Sequence, residues 1–202
     1  MRCVEWRERY GRAAARYEAG ETRELDERQL VQLANTAWAA GLSLLMLGEK
    51  EDSSEWLRRA AARYRESWVA GSDAWGRAIG AMKALLIAGD DAREAVQWTL
   101  EADAAIADSP IGPYAATLAL LVLKNEEMAA SQAADLQREA GFPRDVADAL
   151  AAIANRDGAS YTAAMARVRR SFEEREAFLE DIPVPDTALA LEALGARRRL
   201  ES

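Results

Sequence analysis

Turn-forming residues recur along this chain at intervals that divide it into pairs of helices. Gly48, Gly89, Asn125 and Asp157 each stand between two segments whose apolar residues recur every three or four positions, and the intervals between them are 41, 36 and 32 residues. Apolar residues at that spacing indicate amphipathic helices. A period of about 30 to 40 residues with two helices per unit is typical of an α-helical solenoid. The sequence therefore predicts a stack of helical hairpins.

The composition favours the same architecture. Half of the 202 residues are hydrophobic, 45 are Ala and 23 are Arg, and strand-type alternation is nowhere sustained. We predict an all-α fold of about ten antiparallel helices in a single domain, residues 1–202, with 1–71 and 72–202 as its possible sub-units. The stretch from Trp75 to Pro110 comes closest to a tetratricopeptide repeat, so the hairpins are expected to be tetratricopeptide-like in shape. An irregular helical bundle is the alternative.

Several residues are predicted to mark helix ends. Glycine favours the C-terminal end of a helix, whereas Ser and Asp favour the N-terminal cap. By this rule the first helix ends at Gly20, Ser53 or Ser54 caps the third, Ser72 opens the fourth and Asp90 caps the fifth. The fifth helix is expected to carry Val96, Thr99, Leu100 and Ile106 on its apolar side, the seventh to span 126–140, the ninth to reach Leu179, and Asp186 to cap the last.

Charge and residue types exclude several functional classes. The 34 acidic and 26 basic residues give a net charge of −8, which argues against a general nucleic-acid binder. Without histidine, Ser-His-Asp and Cys-His catalysis and histidine-ligated metals are excluded. Cys3 cannot form an internal disulfide because it is the single cysteine, which fits a reducing compartment. No Gly-rich phosphate loop or Cys/His cluster points to a cofactor, so none is predicted.

The N-terminal residues and the apolar segments predict a cytoplasmic protein without a membrane span. The first ten residues are charged and lack the apolar core of a secretory signal. The longest apolar run, from Tyr114 to Leu123, is about half of the length that a spanning helix needs. Because this run is apolar on all sides, we expect a helix buried in the middle of the stack.

Six tryptophans lie in the first half of the chain, and most of them are expected to fill the gaps between paired helices. Aromatic side chains can also anchor a partner protein, because they bury a large area at low entropic cost. Trp68 and Trp75 flank the predicted turn at Gly71 and Ser72, and one of them is expected to be partly exposed. These two are therefore the aromatic candidates for binding a partner.

Acidic residues supply the other candidates. Residues 102–166 carry nine acidic and four basic side chains, and an acidic surface can steer a basic partner. Asp103, Asp108, Glu126 and Glu127 are the carboxylates predicted to meet such a partner. An ordinary solvated acidic surface is the alternative. The groups Asp90–Asp91–Glu94 and Glu101–Asp103 could serve acid–base chemistry or a divalent ion, but a helix N-terminus favours acidic residues without any such role.

The C-terminal third carries a pattern in several short pieces. It contains Ala-Asn-Arg-Asp-Gly at 154–158, Tyr161, Phe-Glu-Glu-Arg-Glu at 172–176, Leu-Glu-Asp-Ile-Pro at 179–183 and an Ala/Leu-rich segment at 186–194. This pattern resembles the end of all-helical immunity proteins that are encoded beside polymorphic toxins in bacteria. The resemblance covers about fifty residues and transfers no site residue. It implies a non-catalytic inhibitor that binds its cognate toxin by surface complementarity.

Three functional hypotheses follow from the sequence. The first is a non-catalytic helical protein-binding module whose partner is another protein, such as a basic toxin domain that it neutralises. The second is a small-ligand-binding protein or a carboxylate-based enzyme with a Trp-lined helical cleft. The third is a structural helical protein that associates with copies of itself into a homo-oligomer.

Overall fold

The computed structural model describes residues 3–21, 25–69 and 74–200. Within these residues the chain forms ten α-helices and no strand, which confirms the predicted fold class. Short 3-10 helices at Ala104–Ile106 and Leu179–Asp181 precede α6 and α10. The helices are α1 (Cys3–Glu21), α2 (Glu27–Leu47), α3 (Lys50–Glu66), α4 (Trp75–Ala88), α5 (Arg93–Glu101), α6 (Ile111–Val122), α7 (Glu126–Leu136), α8 (Arg144–Asn155), α9 (Gly158–Glu173) and α10 (Asp186–Ala196).

The four predicted turns join α2 to α3, α4 to α5, α6 to α7 and α8 to α9. Gly48 and Gly89 end their helices with φ angles of 81° and 86°, a left-handed conformation that glycine adopts without steric cost. Asn125 and Asp157 begin the next helices, because their side chains accept hydrogen bonds from the backbone N–H groups of Met128 and Ser160. Each helix from α1 to α9 packs mainly against helices close to it in sequence, so the hairpins stack in chain order, whereas α10 packs mainly against α4.

The apolar run at 114–123 forms most of α6, the helix whose residues are buried on nearly all sides. α6 contacts α4, α5, α7 and α8, which places it in the middle of the stack as predicted. A second apolar helix, α2, is the one among the described residues that is long and apolar enough to cross a membrane. Because 61% of its apolar window is buried within the protein, α2 has the character of a core helix.

The C-terminal segment, residues 178–200, folds back over the stack. Its 3-10 turn contacts α2, and α10 packs against α4, α8 and α9. Ile182, Val184, Leu191 and Leu194 are at most 3% exposed, so this segment belongs to the core. Its ion pairs join it to four other parts of the chain, Arg16–Glu180 at 2.7 Å, Lys83–Asp186 at 2.6 Å, Arg169–Glu192 at 2.8 Å and Arg198–Glu126 at 3.3 Å.

The predicted helix ends at Gly20, Ser53 and Asp90 are wrong. α1 continues through Gly20 to Glu21. α3 begins earlier than predicted, at Lys50, so Ser53 and Ser54 lie inside the helix and cap nothing; their hydroxyls donate instead to the carbonyls of Gly41 at 2.7 Å and Ala88 at 3.2 Å. Asp90 binds Arg58 instead of capping α5, which begins at Arg93.

Helices α7 and α9 are shorter than predicted, since they end at Leu136 and Glu173. The prediction that Asp186 caps the last helix is wrong, since Pro185 holds the cap position and Asp186 is the first helical residue, with its carboxylate accepting the backbone N–H of Thr187 at 2.7 Å. The turn at Gly71 and Ser72, which includes the predicted boundary between the two sub-units, lies outside the described residues. α3 and α4, on either side of that boundary, pack directly against each other.

Small residues allow the helices of this stack to approach closely. A Cβ atom added to Gly41 of α2 would lie 2.8 Å from the Cγ atom of Leu57 in α3. A Cβ atom added to Gly80 of α4 would lie 2.8 Å from the ring of Tyr64. Both distances are shorter than van der Waals contact, so these glycines set the spacing of α2, α3 and α4.

We expect Gly41→Ala to destabilise the protein by about 1–3 kcal/mol, because the added methyl group overpacks the α2–α3 contact. The matched control is Gly11→Ala in α1, where an added Cβ meets nothing within 4 Å. There the loss of glycine should stabilise the exposed helix by about 0.5–1 kcal/mol. Urea unfolding of the two variants measures both changes, and the same sign for both would contradict this account of the packing.

Candidate protein-binding surface

Three tryptophans from different helices form one aromatic cluster. The ring centroid of Trp68, just after α3, lies 5.4 Å from that of Trp75 in α4 and 4.8 Å from that of Trp98 in α5. The rings are tilted by 47° and 52°, within the range that aromatic pairs favour. Trp75 and Trp98 are buried, whereas Trp68 is half-buried and packs at the edge of the core. The other tryptophans, Trp6, Trp38 and Trp56, are buried as predicted.

The cluster reaches the connection between α5 and α6 through Trp75. A Cβ atom added to Gly112, at the start of α6, would lie 3.2 Å from Trp75 Nε1 and 2.7 Å from the Ala104 carbonyl oxygen. Gly112 therefore lets the chain after α5 pack directly on the indole. Among the described residues, Trp75 Nε1 is buried and has no hydrogen-bond partner. A buried donor left unpaired costs roughly 1–3 kcal/mol, so burial of the Trp75 ring has to offset that cost.

Exposed apolar side chains occur in the chain segments that contact this cluster. Val69 is 51% exposed and follows Trp68 in the chain. Ile106 is 80% exposed and lies in the connection that packs on Trp75, and Ile111, at the start of α6 next to Gly112, is 39% exposed. We call this surface the tryptophan face, and its members are Trp68, Val69, Asp103, Ile106, Asp108 and Ile111.

The prediction that Ile106 lies on the buried side of the fifth helix is wrong. α5 ends at Glu101, and Asp103 then adopts a left-handed conformation with φ of 59°. The chain therefore turns away before Ile106, which projects into solvent instead of continuing the apolar side of α5. The sequence contains a signal for this turn, since the Ser109-Pro110 pair and the two aspartates around Ile106 are typical of a loop.

The carboxylates of the tryptophan face carry uncompensated negative charge. Asp103 and Asp108 are exposed, and neither forms an ion pair with any described residue. The chain has no Lys or Arg between Arg93 and Lys124, a stretch that contains four acidic residues. The predicted candidates Trp68, Trp75, Asp103 and Asp108 therefore lie at one end of α6, next to exposed apolar side chains.

Glu126 and Glu127 lie at the opposite end of α6, in the first turn of α7. Since α6 has 12 residues, the two ends are about 18 Å apart. Glu126 forms ion pairs with Arg156 at 2.8 Å and with the buried Arg198 at 3.3 Å. The hydrogen bond from Arg156 lowers the pKa of Glu126. Glu126 thus ties α7 to the C-terminal segment, whereas Glu127 is exposed.

Arg198 makes this tie stronger than an exposed ion pair. Its guanidinium donates to the Leu121 carbonyl at 2.6 Å and to the Leu194 carbonyl at 3.2 Å. Its Nε atom lies 3.3 Å from Glu126 Oε1, which is within ion-pair distance, but this Nε–H group forms no hydrogen bond with the carboxylate. Glu126 is therefore the group that compensates the charge of a nearly buried arginine.

A separate cavity of about 360 Å³ lies among α7, α8 and α9 and contains two carboxylates. Asp148 accepts hydrogen bonds from Gln137 at 2.7 Å, Arg144 at 3.0 Å and Arg167 at 2.9 Å. Burial alone would raise the pKa of Asp148, but these contacts outweigh it and hold the pKa below its ordinary value. Asp157 is likewise occupied as the cap of α9. Both carboxylates thus have structural partners.

The other carboxylates considered for acid–base or metal chemistry do not converge on a site. Asp90 is bound by Arg58 at 2.7 Å and Asp91 lies 3.4 Å from Arg93. Glu101 accepts a hydrogen bond from Gln97 at 2.9 Å. No group of three or more potential metal ligands occurs among the described residues.

We expect Glu126→Gln to destabilise the protein by roughly 1 kcal/mol at neutral pH, since it leaves Arg198 without its counter-charge. The folded-state pKa of Glu126 is lowered, so its contribution is complete above the ordinary glutamate pKa and is lost as the pH falls through the folded-state value. The difference from the parent protein should therefore shrink between neutral pH and an acidic pH below the ordinary glutamate pKa. Urea unfolding at both pH values measures it. An equal loss in the control Glu127→Gln would contradict the assignment.

Comparisons with known proteins add no further information on this surface. Family models, curated proteins and solved structures include no match to the chain. The resemblance to immunity proteins therefore remains a prediction that depends on the C-terminal residues.

Proposed function

We propose that this chain is a non-catalytic helical module that binds another protein through the tryptophan face. The observation that carries the proposal is the combination of exposed apolar side chains, Val69, Ile106 and Ile111, with the unpaired carboxylates of Asp103 and Asp108. An exposed apolar patch with a polar border is characteristic of protein-binding surfaces. The aromatic cluster beneath supports the patch, because Trp68 is packed against Trp75 and Trp98.

The charge of the tryptophan face favours a basic partner. Asp103 and Asp108 would attract Lys and Arg side chains at the rim of an interface, which mainly raises the association rate. A second copy of the chain would bring the same carboxylates together, so the charge disfavours self-association through this face. The acidic stretch between Arg93 and Lys124 disfavours nucleic acid for the same reason.

The finer proposal is that the partner is a toxin domain that the chain neutralises. Two observations support it: the resemblance of residues 154–194 to immunity proteins, and the acidic character of the tryptophan face. Neutralisation needs only that the chain covers a functional surface of the toxin, so it requires no catalytic group. A toxin gene beside the gene for this chain would identify the partner, and co-expression of the two proteins should then restore growth.

We expect Ile106→Asp to reduce capture of the partner by about tenfold or more, because it places a charge at the most exposed apolar residue of the face. Tagged protein is purified from the native host, and the bound proteins are quantified by mass spectrometry. The matched control is Met128→Asp, which changes another exposed apolar residue, 54% accessible, at the opposite end of α6. Because both side chains are exposed, thermal unfolding should show that both variants fold.

Three outcomes would contradict the proposal. The first is loss of the partner in Met128→Asp with retention in Ile106→Asp, which would place the interface elsewhere. The second is purification without any bound protein together with turnover of a small molecule, which would favour the enzyme hypothesis. A concentration-dependent dimer in sedimentation, disrupted by Ile106→Asp, would favour self-association instead.

A further inference from the structure

A groove between α3 and α5 adjoins the tryptophan face. Both helices pack on α4 and leave between them a cavity of about 430 Å³. Ala81 and Leu85 of α4 form its floor, Ala62 lies on the α3 wall, and Ala95 lies on the α5 wall. The small alanine side chains give the groove its depth. Trp98 lines the groove and also contacts Trp68, so the groove is continuous with the tryptophan face.

The two walls of the groove carry opposite charges in their residues without an ion pair, since Glu66 on the α3 wall is paired with Arg63 at 2.6 Å. Arg65 on α3 lies over the Trp98 ring at 5.5 Å and has no ion pair with any described residue. Glu94 on α5 also lines the groove, and it too lacks an ion pair within the described part of the chain. At the far end of the groove, Arg58 and Asp90 bind each other through two hydrogen bonds of 2.7 Å and 3.1 Å, and Arg197 of the C-terminal segment donates to the Asp90 carbonyl oxygen.

We propose that this groove binds an amphipathic helix of the partner protein, with acidic residues on its side facing α3 and basic residues on its side facing α5. This inference rests on the proposed function, since it names the part of the partner that binds beside the tryptophan face. The apolar floor of the groove favours an apolar stripe on the bound helix. Arg65 favours acidic residues along one edge of that stripe, and Glu94 favours basic residues along the other edge.

The length of the groove along α3 corresponds to about two turns of helix. Arg58 and Arg65, which mark its two ends on α3, are seven residues apart, or about 10 Å along the helix axis. Two turns of a bound helix present apolar anchors at positions i, i+3, i+4 and i+7, which is the usual pattern of helix-in-groove recognition. Both walls are helices, whose backbone N–H and C=O groups bond within the helix. An extended strand would therefore find no sheet edge with which to pair.

Three synthetic helical peptides with identical leucine stripes test this inference against the full-length protein. The first has Glu along one edge and Lys along the other, the second has Lys along both edges, and the third has Glu along both. Fluorescence anisotropy measures the affinity of each labelled peptide. We expect the first peptide to bind the parent protein at least about fivefold more tightly than either of the others.

Two variants of the groove should change that order. Glu94→Arg makes both walls basic, so the peptide with two Glu edges should become the tightest. Arg65→Glu makes both walls acidic, so the peptide with two Lys edges should become the tightest. The exposed control Glu127→Arg lies outside the groove and should leave the order unchanged. All three positions are exposed, and thermal unfolding checks that each variant folds.

The inference is overturned if no peptide binds the parent protein below millimolar concentration, or if the order is the same in all variants. It is also overturned if sedimentation shows that a second copy of the chain occupies the groove and competes with the peptides. These outcomes are independent of the capture experiment with Ile106→Asp. If a partner is captured through the tryptophan face but the order of peptide affinities is the same in all variants, the proposed function stands. The proposal that the groove binds a helix is then rejected.

Discussion

The close approach of helices at small side chains is the constraint on which the rest of this structure depends. Gly41 against Leu57, Gly80 against Tyr64 and Gly195 against Tyr161 leave no room for a Cβ atom. Alanine serves the same purpose over most of the remaining core. Alanine side chains are too small to fill the whole core, so large aromatic residues fill the gaps that remain between the helices. This explains why most of the tryptophans are buried.

The C-terminal segment determines which surfaces remain for a partner. A simple stack of hairpins would leave one side of its helices open, but residues 178–200 cover α2, α4, α8 and α9. Leu191 and Leu194 are fully buried there, and Arg198 is held by two backbone carbonyls and Glu126. The exposed apolar residues beside the aromatic cluster lie outside this cover, and the segment reaches the far end of the α3–α5 groove, where Arg197 donates to the Asp90 carbonyl oxygen. The proposed interface therefore belongs to the middle of the chain.

The fold was largely predictable because its signals are local. The left-handed glycines at 48 and 89 and the capping side chains of Asn125 and Asp157 act within one turn of their own position. Long-range contacts could not be predicted in the same way. Asp90 is of a residue type that often caps helices, but Arg58, 32 residues earlier in the chain, binds its carboxylate.

The candidate surface was only partly predictable for the same reason. Trp68, Trp75, Asp103 and Asp108 were predicted from residue type and position, and the structure brings them to one end of α6. Ile106 was missed because its exposure depends on where α5 ends, a boundary that Asp103 sets through its left-handed backbone. The pairing of Trp68 with Trp98 joins residues 30 positions apart, and periodicity within single helices contains no information on such a contact.

Hydrogen exchange of the complex captured from the native host tests the central claim most directly. If the tryptophan face is the interface, backbone amides of residues 65–69 and 98–112 should gain protection when the partner is bound. Residues 123–128, at the opposite end of α6, should exchange at the same rate in the free and bound protein. Protection confined to residues 123–128, with unchanged exchange at 98–112, would contradict the account.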